Sequence, residues 1–141
     1  MGNAIENGGT PVIFLAMFWG GGGPYTISKI IGVYDWINRA IPGREEMESG
    51  LNTLLAMGLV ERRQDEFFIP EPEYRAFDVF RKKKRKNKFE TVRMYFGQLP
   101  EVAGPAAAIR LSEDEYNAYV EENSRAFAQA LRYSKQEKPR R

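Results

Sequence analysis

The chain has 141 residues, of which 43% are hydrophobic and 13% aromatic, enough apolar material for one folded domain. It contains no cysteine and no histidine, which excludes disulfides, Cys or His zinc sites and His-dependent catalytic triads. The net charge of +2 hides an asymmetry, because residues 1–72 hold five of the 21 basic residues but nine of the 19 acidic ones. The first half is therefore acidic and the second half basic.

The longest apolar run, residues 12–19, is too short to cross a bilayer. Residues 1–11 contain no Lys or Arg and no cleavage motif, which argues against a signal peptide. We therefore expect a cytoplasmic protein that does not bind membranes. Nothing in the residue pattern predicts a metal site or a cofactor.

Two helices are predicted before residue 41. The apolar run at residues 11–19 favours a short buried helix, although periodicity alone does not distinguish a helix from a strand there. Four glycines at residues 20–23 then break the chain and are interpreted as a flexible connector. Thr26 is a suitable cap for a second helix over residues 26–40, whose isoleucines share one face.

A third helix and a hairpin follow. Apolar residues at helical spacing predict a helix over residues 44–57, and Gly58 is suited to the left-handed position that ends it. Two β-prone runs, residues 59–63 and 67–69, flank a polar turn and predict an antiparallel hairpin.

The order helix, helix, turn, helix, hairpin over residues 11–70 resembles the winged helix-turn-helix superfamily. The resemblance implies a three-helix core with a hairpin wing, whose third helix enters the major groove of DNA. On this sequence it implies base contacts from the third helix and phosphate or minor-groove contacts from the hairpin. The residues concerned are Arg44, Ser49, Asn52 and Thr53 in the helix and Arg62 and Arg63 in the hairpin.

The acidic residues of the third helix support an alternative. Glu45, Glu46 and Glu48 would face the DNA polyanion and weaken binding. Winged helices also serve as protein-interaction modules, and such a module is the alternative function.

Residues 81–88, RKKKRKNK, carry seven cations in eight positions. They follow a predicted fourth helix over residues 73–80 and form either a solvated helical face or a loop before the next apolar segment. Such a run can neutralise several phosphates with no sequence readout of its own. Two other roles for this run weigh as much as nucleic-acid binding, namely a solvated surface or a contact with an acidic partner. The predicted phosphate contacts are Arg81, Lys82, Lys83, Lys84 and Arg85.

Residues 97–110 are predicted to form a connector. After it, Ser112 and Glu115 match the S-x-x-E capping box, which predicts the start of a last helix. An isolated helix must bury its apolar stripe, which predicts a homodimer interface. The alternative is that this helix folds back on Tyr74, Phe77 and Phe80. The predicted interface consists of Tyr116, Tyr119, Val120, Phe127 and Leu131.

The expected fold is mainly α with a small β-hairpin, a winged-helix three-helix core plus a C-terminal helical extension. Its expected divisions are a flexible leader (1–10), the winged-helix domain (11–72), a basic helical segment with connector (73–110), and a C-terminal helix with charged tail (111–141). The expected function is a dimeric DNA-binding transcriptional regulator. An enzyme is not expected, because the carboxylates show no catalytic spacing and the tetraglycine lacks the lysine of a phosphate-binding loop.

Overall fold

A computed structural model describes residues 9–84, 86–100 and 109–136. In these ranges the protein is mainly helical with one small antiparallel sheet, which confirms that part of the expected fold. The elements are α1 (Thr10–Trp19), α2 (Ile27–Asn38), α3 (Arg44–Met57), β1 (Glu61–Arg63), β2 (Glu66–Phe68), α4 (Glu71–Lys82), α5 (Lys88–Gly97) and α6 (Glu113–Gln136). Most of the predicted leader, Arg85, much of the connector and the end of the charged tail lie outside the described residues.

Helix α1 lies at the centre of the fold. Its residues from Val12 to Phe18 are at most 3% exposed, because the segment is apolar on every face and must be covered on all sides. Helices α2, α3 and α5 pack around it. The rings of Phe14 and Phe18 also meet Phe77 of α4 edge to face, with centroids 5.5 and 4.8 Å apart. The helical interpretation of this run is confirmed.

Local capping signals define α2 and α3. The Thr26 hydroxyl accepts a hydrogen bond from the Lys29 N–H at 3.3 Å, which caps α2. Helix α3 has the predicted bounds and ends at Gly58, whose φ of 77° is the left-handed conformation that glycine adopts without strain. The Leu59 N–H then bonds back to the Leu54 carbonyl at 3.1 Å, which turns the chain towards the hairpin.

The hairpin is tied to the helical core through the segment between α1 and α2. Strands β1 and β2 pair antiparallel, with Arg62 opposite Phe67. Phe67 also exchanges two backbone hydrogen bonds with Tyr25, at 2.7 and 2.8 Å, so β2 is bonded on both sides. At Gly23 (φ 101°) a Cβ atom would lie only 2.7 Å from the Phe67 carbonyl oxygen. The glycine run is therefore required for this close approach, beyond the connector role that the sequence predicts.

The basic run is divided between two helices and the turn that joins them. Helix α4 extends beyond the predicted residues 73–80 and includes Arg81 and Lys82. Asn87 caps α5 by accepting the Glu90 N–H at 2.9 Å. We call the residues from Arg81 to Lys88 the basic turn.

Helix α6 begins at the predicted capping box and packs on α2. The Glu115 N–H donates to Ser112 Oγ at 3.1 Å, and the Ser112 N–H donates to Glu115 Oε1 at 3.0 Å. The Tyr116 hydroxyl donates to the Pro42 carbonyl, just before α3. The alternative that this helix folds back on its own chain holds for its first part, but the surface that it contacts is α2 and Pro42. The rings named in that alternative, Tyr74, Phe77 and Phe80, pack with aromatic residues of α1 and α5.

Candidate nucleic-acid interface

Two cations of the basic turn share one carboxylate. Arg81 Nη2 lies 2.8 Å from Asp78 Oδ1, and Lys82 Nζ lies 3.2 Å from Asp78 Oδ2. Desolvation raises the pKa of Asp78, but the hydrogen bonds and charges of Lys82 and Arg81 outweigh it and hold the pKa below its usual value. Arg81 and Lys82 are therefore partly neutralised within α4.

The other lysines of the basic turn carry uncompensated charge. Within the described ranges, Lys83, Lys84, Lys86 and Lys88 make no ion pair. The Lys84 ammonium lies 4.8 Å from the centroid of the Phe80 ring, while Lys83, Lys86 and Lys88 are exposed. Four positive charges on one short turn attract phosphates without first breaking a salt bridge.

A cavity of about 410 Å³ opens at the basic turn, between the end of α1, the end of α4 and the start of α5. The guanidinium of Arg81 lies 5.2 Å from the centroid of the Trp19 ring, and Trp19 is 41% exposed as a residue. The Nε atom of Arg81 is buried and has no hydrogen-bond partner among the described residues. The cavity is lined by Leu15, Trp19, Phe77, Arg81, Lys84, Lys86, Asn87, Lys88 and Thr91. We call this space the Trp19 cavity.

Both predicted hairpin arginines are exposed on β1. Arg62 donates from Nε to the Gln64 carbonyl at 2.7 Å, and the Arg63 guanidinium lies 4.8 Å from the centroid of the Phe68 ring. Neither forms an ion pair with an acidic residue in the part of the chain that the structure describes. Both side chains remain accessible to phosphate, and their contact with DNA stays a prediction.

The structure corrects the expected role of Asn52. Its residue is 7% exposed, and its amide donates to the Ile109 carbonyl at 3.0 Å and accepts the Ile109 N–H at 2.8 Å. Both functional ends of the amide are thus engaged with backbone. The prediction that Asn52 lies on an exposed base-reading face is wrong, because a segment far along the chain covers it.

The same segment engages two more side chains of α3. Arg44 Nη1 donates to the Leu111 carbonyl at 3.0 Å, and the Leu111 N–H donates to Glu48 Oε2 at 2.7 Å. Together with Asn52 these residues are spaced one helical turn apart and hold an extended peptide along α3. We call residues 109–112 the strap. Of the other predicted base contacts, Ser49 is exposed and Thr53 is half-buried.

Two of the three acidic side chains at the start of α3 are bonded within the protein, so they do not face solvent or DNA freely. Glu46 Oε2 accepts hydrogen bonds from the Tyr34 hydroxyl and from the Gly9 N–H at 2.7 Å. Glu48 is bonded to the strap, and only Glu45 has a largely exposed carboxylate, at 88%. The expectation that all three face a polyanion is therefore wrong.

The predicted dimerisation stripe is divided by the fold. Tyr116 is 5% exposed, and Tyr119 and Val120 are half-buried against the hydrophobic core. Phe127 and Leu131, farther along α6, are 64% and 51% exposed. Tyr116, Tyr119 and Val120 pack against the core of their own chain, so their assignment to a dimer interface is wrong.

Comparison with known proteins does not add a relative. No family model, curated protein or solved structure matches this chain. Within the described ranges, no helix is long and apolar enough to cross a membrane, and no cluster of acidic side chains could hold a metal ion.

Proposed function

We propose that this chain is a winged-helix DNA-binding protein that contacts phosphates through the basic turn and the hairpin. The observation that carries the proposal is the uncompensated charge of Lys83, Lys84, Lys86 and Lys88. Because phosphate contacts supply most of the affinity and little of the specificity, we expect salt-dependent binding with weak sequence preference.

The position of α4 supports a joint role for the two basic elements. This helix of 12 residues runs from the hairpin to the basic turn, a distance of about 18 Å at 1.5 Å per residue. Arg63 borders a cleft with the glycine run that follows α1, and Arg81 lies over Trp19 at the end of α1. Both elements thus flank the same end of the central helix.

The strap argues against major-groove readout by α3. It covers Asn52 and engages Arg44, two of the four helix residues predicted to contact bases. A helix whose outer side chains hold a peptide cannot present them to base edges at the same time. A dimer formed by the exposed part of α6 would then bring two phosphate-binding surfaces onto one duplex, and regulation of transcription would follow from occupancy of the DNA.

The alternative function is a winged-helix module that binds a protein through α3. The specific observation in its favour is the strap itself, since Arg44, Glu48 and Asn52 bind extended backbone there. In that case a partner peptide would replace the strap, and the lysines would serve solubility.

A salt titration of DNA binding tests the proposal. The full chain and a Lys83→Ala/Lys84→Ala/Lys86→Ala variant are titrated with a labelled duplex between about 50 and 200 mM salt. We expect the plot of log affinity against log salt to flatten by about 0.9 for each phosphate that the variant no longer neutralises. Lys29→Ala, an exposed cation on α2, is the matched control and should leave the slope unchanged.

Two results would contradict the proposal. An unchanged slope in the triple variant would assign these lysines to solvent. No duplex binding at the lowest salt by a folded wild-type chain would favour the protein-interaction module.

A further inference from the structure

We infer that the Trp19 cavity binds a nucleobase that carries a phosphate, with the base against Trp19 and the phosphate among the basic side chains. The inference rests on the proposed DNA-binding function and names the part of the nucleic acid that the basic turn recognises. It makes an unpaired nucleotide, as at a strand end or overhang, the preferred ligand over continuous duplex.

The aromatic side of the cavity is suited to a base. Leu15 and Phe77, at most 1% exposed, are apolar residues in the lining, whereas Trp19 is 41% exposed as a residue, directly after seven buried residues of α1. The volume of about 410 Å³ falls within the range of small-molecule sites. Unpaired bases of any sequence stack on aromatic rings, which makes Trp19 a platform that does not read sequence.

The basic side of the cavity is suited to a phosphate. Arg81, Lys84, Lys86 and Lys88 line it, and none of the described lining residues is acidic. Asp78 occupies one terminal nitrogen of Arg81, whereas Lys84, Lys86 and Lys88 make no ion pair among the described residues. A phosphate oxygen is a strong acceptor for such ammonium donors. The start of α5 lies in the same lining and favours negative charge through its dipole.

The combination selects the ligand class. Inorganic phosphate would not stack on the Trp19 ring, and an uncharged apolar ligand would not neutralise the four cations of the lining. A nucleobase with its phosphate uses both sides. Two sources share this chemistry, a free nucleotide and an unpaired nucleotide of DNA, and the experiment separates them.

Tryptophan fluorescence reports on the cavity directly. The chain has two tryptophans, and Trp36 is 72% exposed on α2, so Trp36→Phe leaves Trp19 as the sole reporter. This variant is titrated with a blunt duplex of two separate strands, the same duplex with a short thymidine overhang, thymidine monophosphate and inorganic phosphate. We expect saturable quenching by the overhang and roughly tenfold tighter binding than to the blunt duplex.

Variants separate stacking from charge. Trp19→Leu should remove the preference for the overhang and leave the salt slope on blunt duplex unchanged, whereas Trp19→Phe should keep part of the preference. Lys84→Gln should weaken binding to both DNAs. If Trp19→Leu fails to fold, as judged by circular dichroism, the quenching titration and Trp19→Phe still decide the question.

The outcomes are distinct. Equal affinity for both duplexes without quenching overturns the inference and leaves the proposed function standing, while absence of all DNA binding overturns the proposed function. Thymidine monophosphate binding as tightly as the overhang supports the ligand class and identifies a free nucleotide as its source. Displacement of the overhang by inorganic phosphate as effectively as by thymidine monophosphate overturns the role of the base.

Discussion

The side-chain amide of Asn52 and the backbone of Ile109 bond to each other through both a donor and an acceptor, across 57 residues of sequence. The pair resembles one rung of a β-ladder, with a side chain in place of the second strand. It holds the strap on α3 and, through the strap, positions the start of α6. The C-terminal part of the chain is therefore tied to the core that the first half forms.

Asn52→Ala should destabilise the fold. The substitution leaves the Ile109 N–H and carbonyl without partners in a buried position, at a cost of about 1–3 kcal/mol. Urea denaturation followed by circular dichroism measures it. Ser49→Ala, an exposed position on the same helix, is the control and should change stability by less than about 0.5 kcal/mol. A similarly small change in Asn52→Ala would show that the strap does not stabilise the chain.

Gly23→Ala should cost more stability than Gly21→Ala. Both glycines have positive φ, 101° and 105°, so both variants strain the backbone, by roughly 1–2 kcal/mol. Only at Gly23 would the new Cβ meet the Phe67 carbonyl, at 2.7 Å, since nothing lies within 4 Å of the one at Gly21. The difference between the two denaturation midpoints isolates the close approach of the glycine run to β2. Equal denaturation midpoints for the two variants would show that the contact between position 23 and the Phe67 carbonyl does not limit stability.

Stability should fall in alkaline solution. Burial, followed by the charge of Glu46, raises the pKa of Tyr116 to about 12, and burial with a hydrogen bond to Glu46 raises the pKa of Tyr34 as well. An unfolded tyrosine ionises near pH 10, so the unfolded state loses protons first. The two neutral tyrosines therefore contribute fully to the free energy of unfolding below about pH 10, and this contribution is lost as the pH rises towards 12.

Urea denaturation at about pH 9 and about pH 11 measures this loss on either side of the unfolded pKa. Tyr116→Phe should show a smaller decrease between the two values, because it removes one of the titrating groups. Its stability at the lower pH should also drop, since the hydrogen bond to the Pro42 carbonyl is removed. Identical stability of the wild-type chain at both values would contradict the prediction.

The exposed part of α6 should form a homodimer. Phe127 and Leu131 lie one turn apart and are both more than half exposed, so a second copy would remove them from water. Sedimentation of the full chain at micromolar concentration should show a dimer, and Phe127→Ser/Leu131→Ser should give a folded monomer. Val79→Ser, at an apolar residue 49% exposed on α4, should leave the dimer intact. A monomeric wild-type chain would rule the interface out.

Much of the secondary structure follows from local sequence. The bounds of α3 match the prediction because Gly58 supplies the left-handed stop and the turn before Arg44 supplies the start. The capping box of α6 forms as expected, since Ser112 and Glu115 need only each other. The segment that forms α1 is open to two interpretations from sequence, because a continuous apolar run has no periodicity to decide between helix and strand.

The candidate interface is predictable only in part. Seven cations in eight residues are visible in the sequence, but their division into paired and unpaired charges depends on Asp78. The Trp19 cavity combines residues of α1, α4 and α5. No local pattern brings Trp19 next to Arg81, 62 positions later, since that proximity depends on how the helices pack.

By itself the sequence determines where α2, α3, the hairpin and the start of α6 lie and where the positive charge concentrates, because capping, periodicity and composition act over a few residues. Only the tertiary structure decides which polar side chains stay available. Asn52 has the same helical register whether it faces solvent or the strap, and its burial arises from a partner 57 residues away. Hydrophobic periodicity identifies the face that must be buried, but the element that covers a polar face is selected by packing across the whole chain.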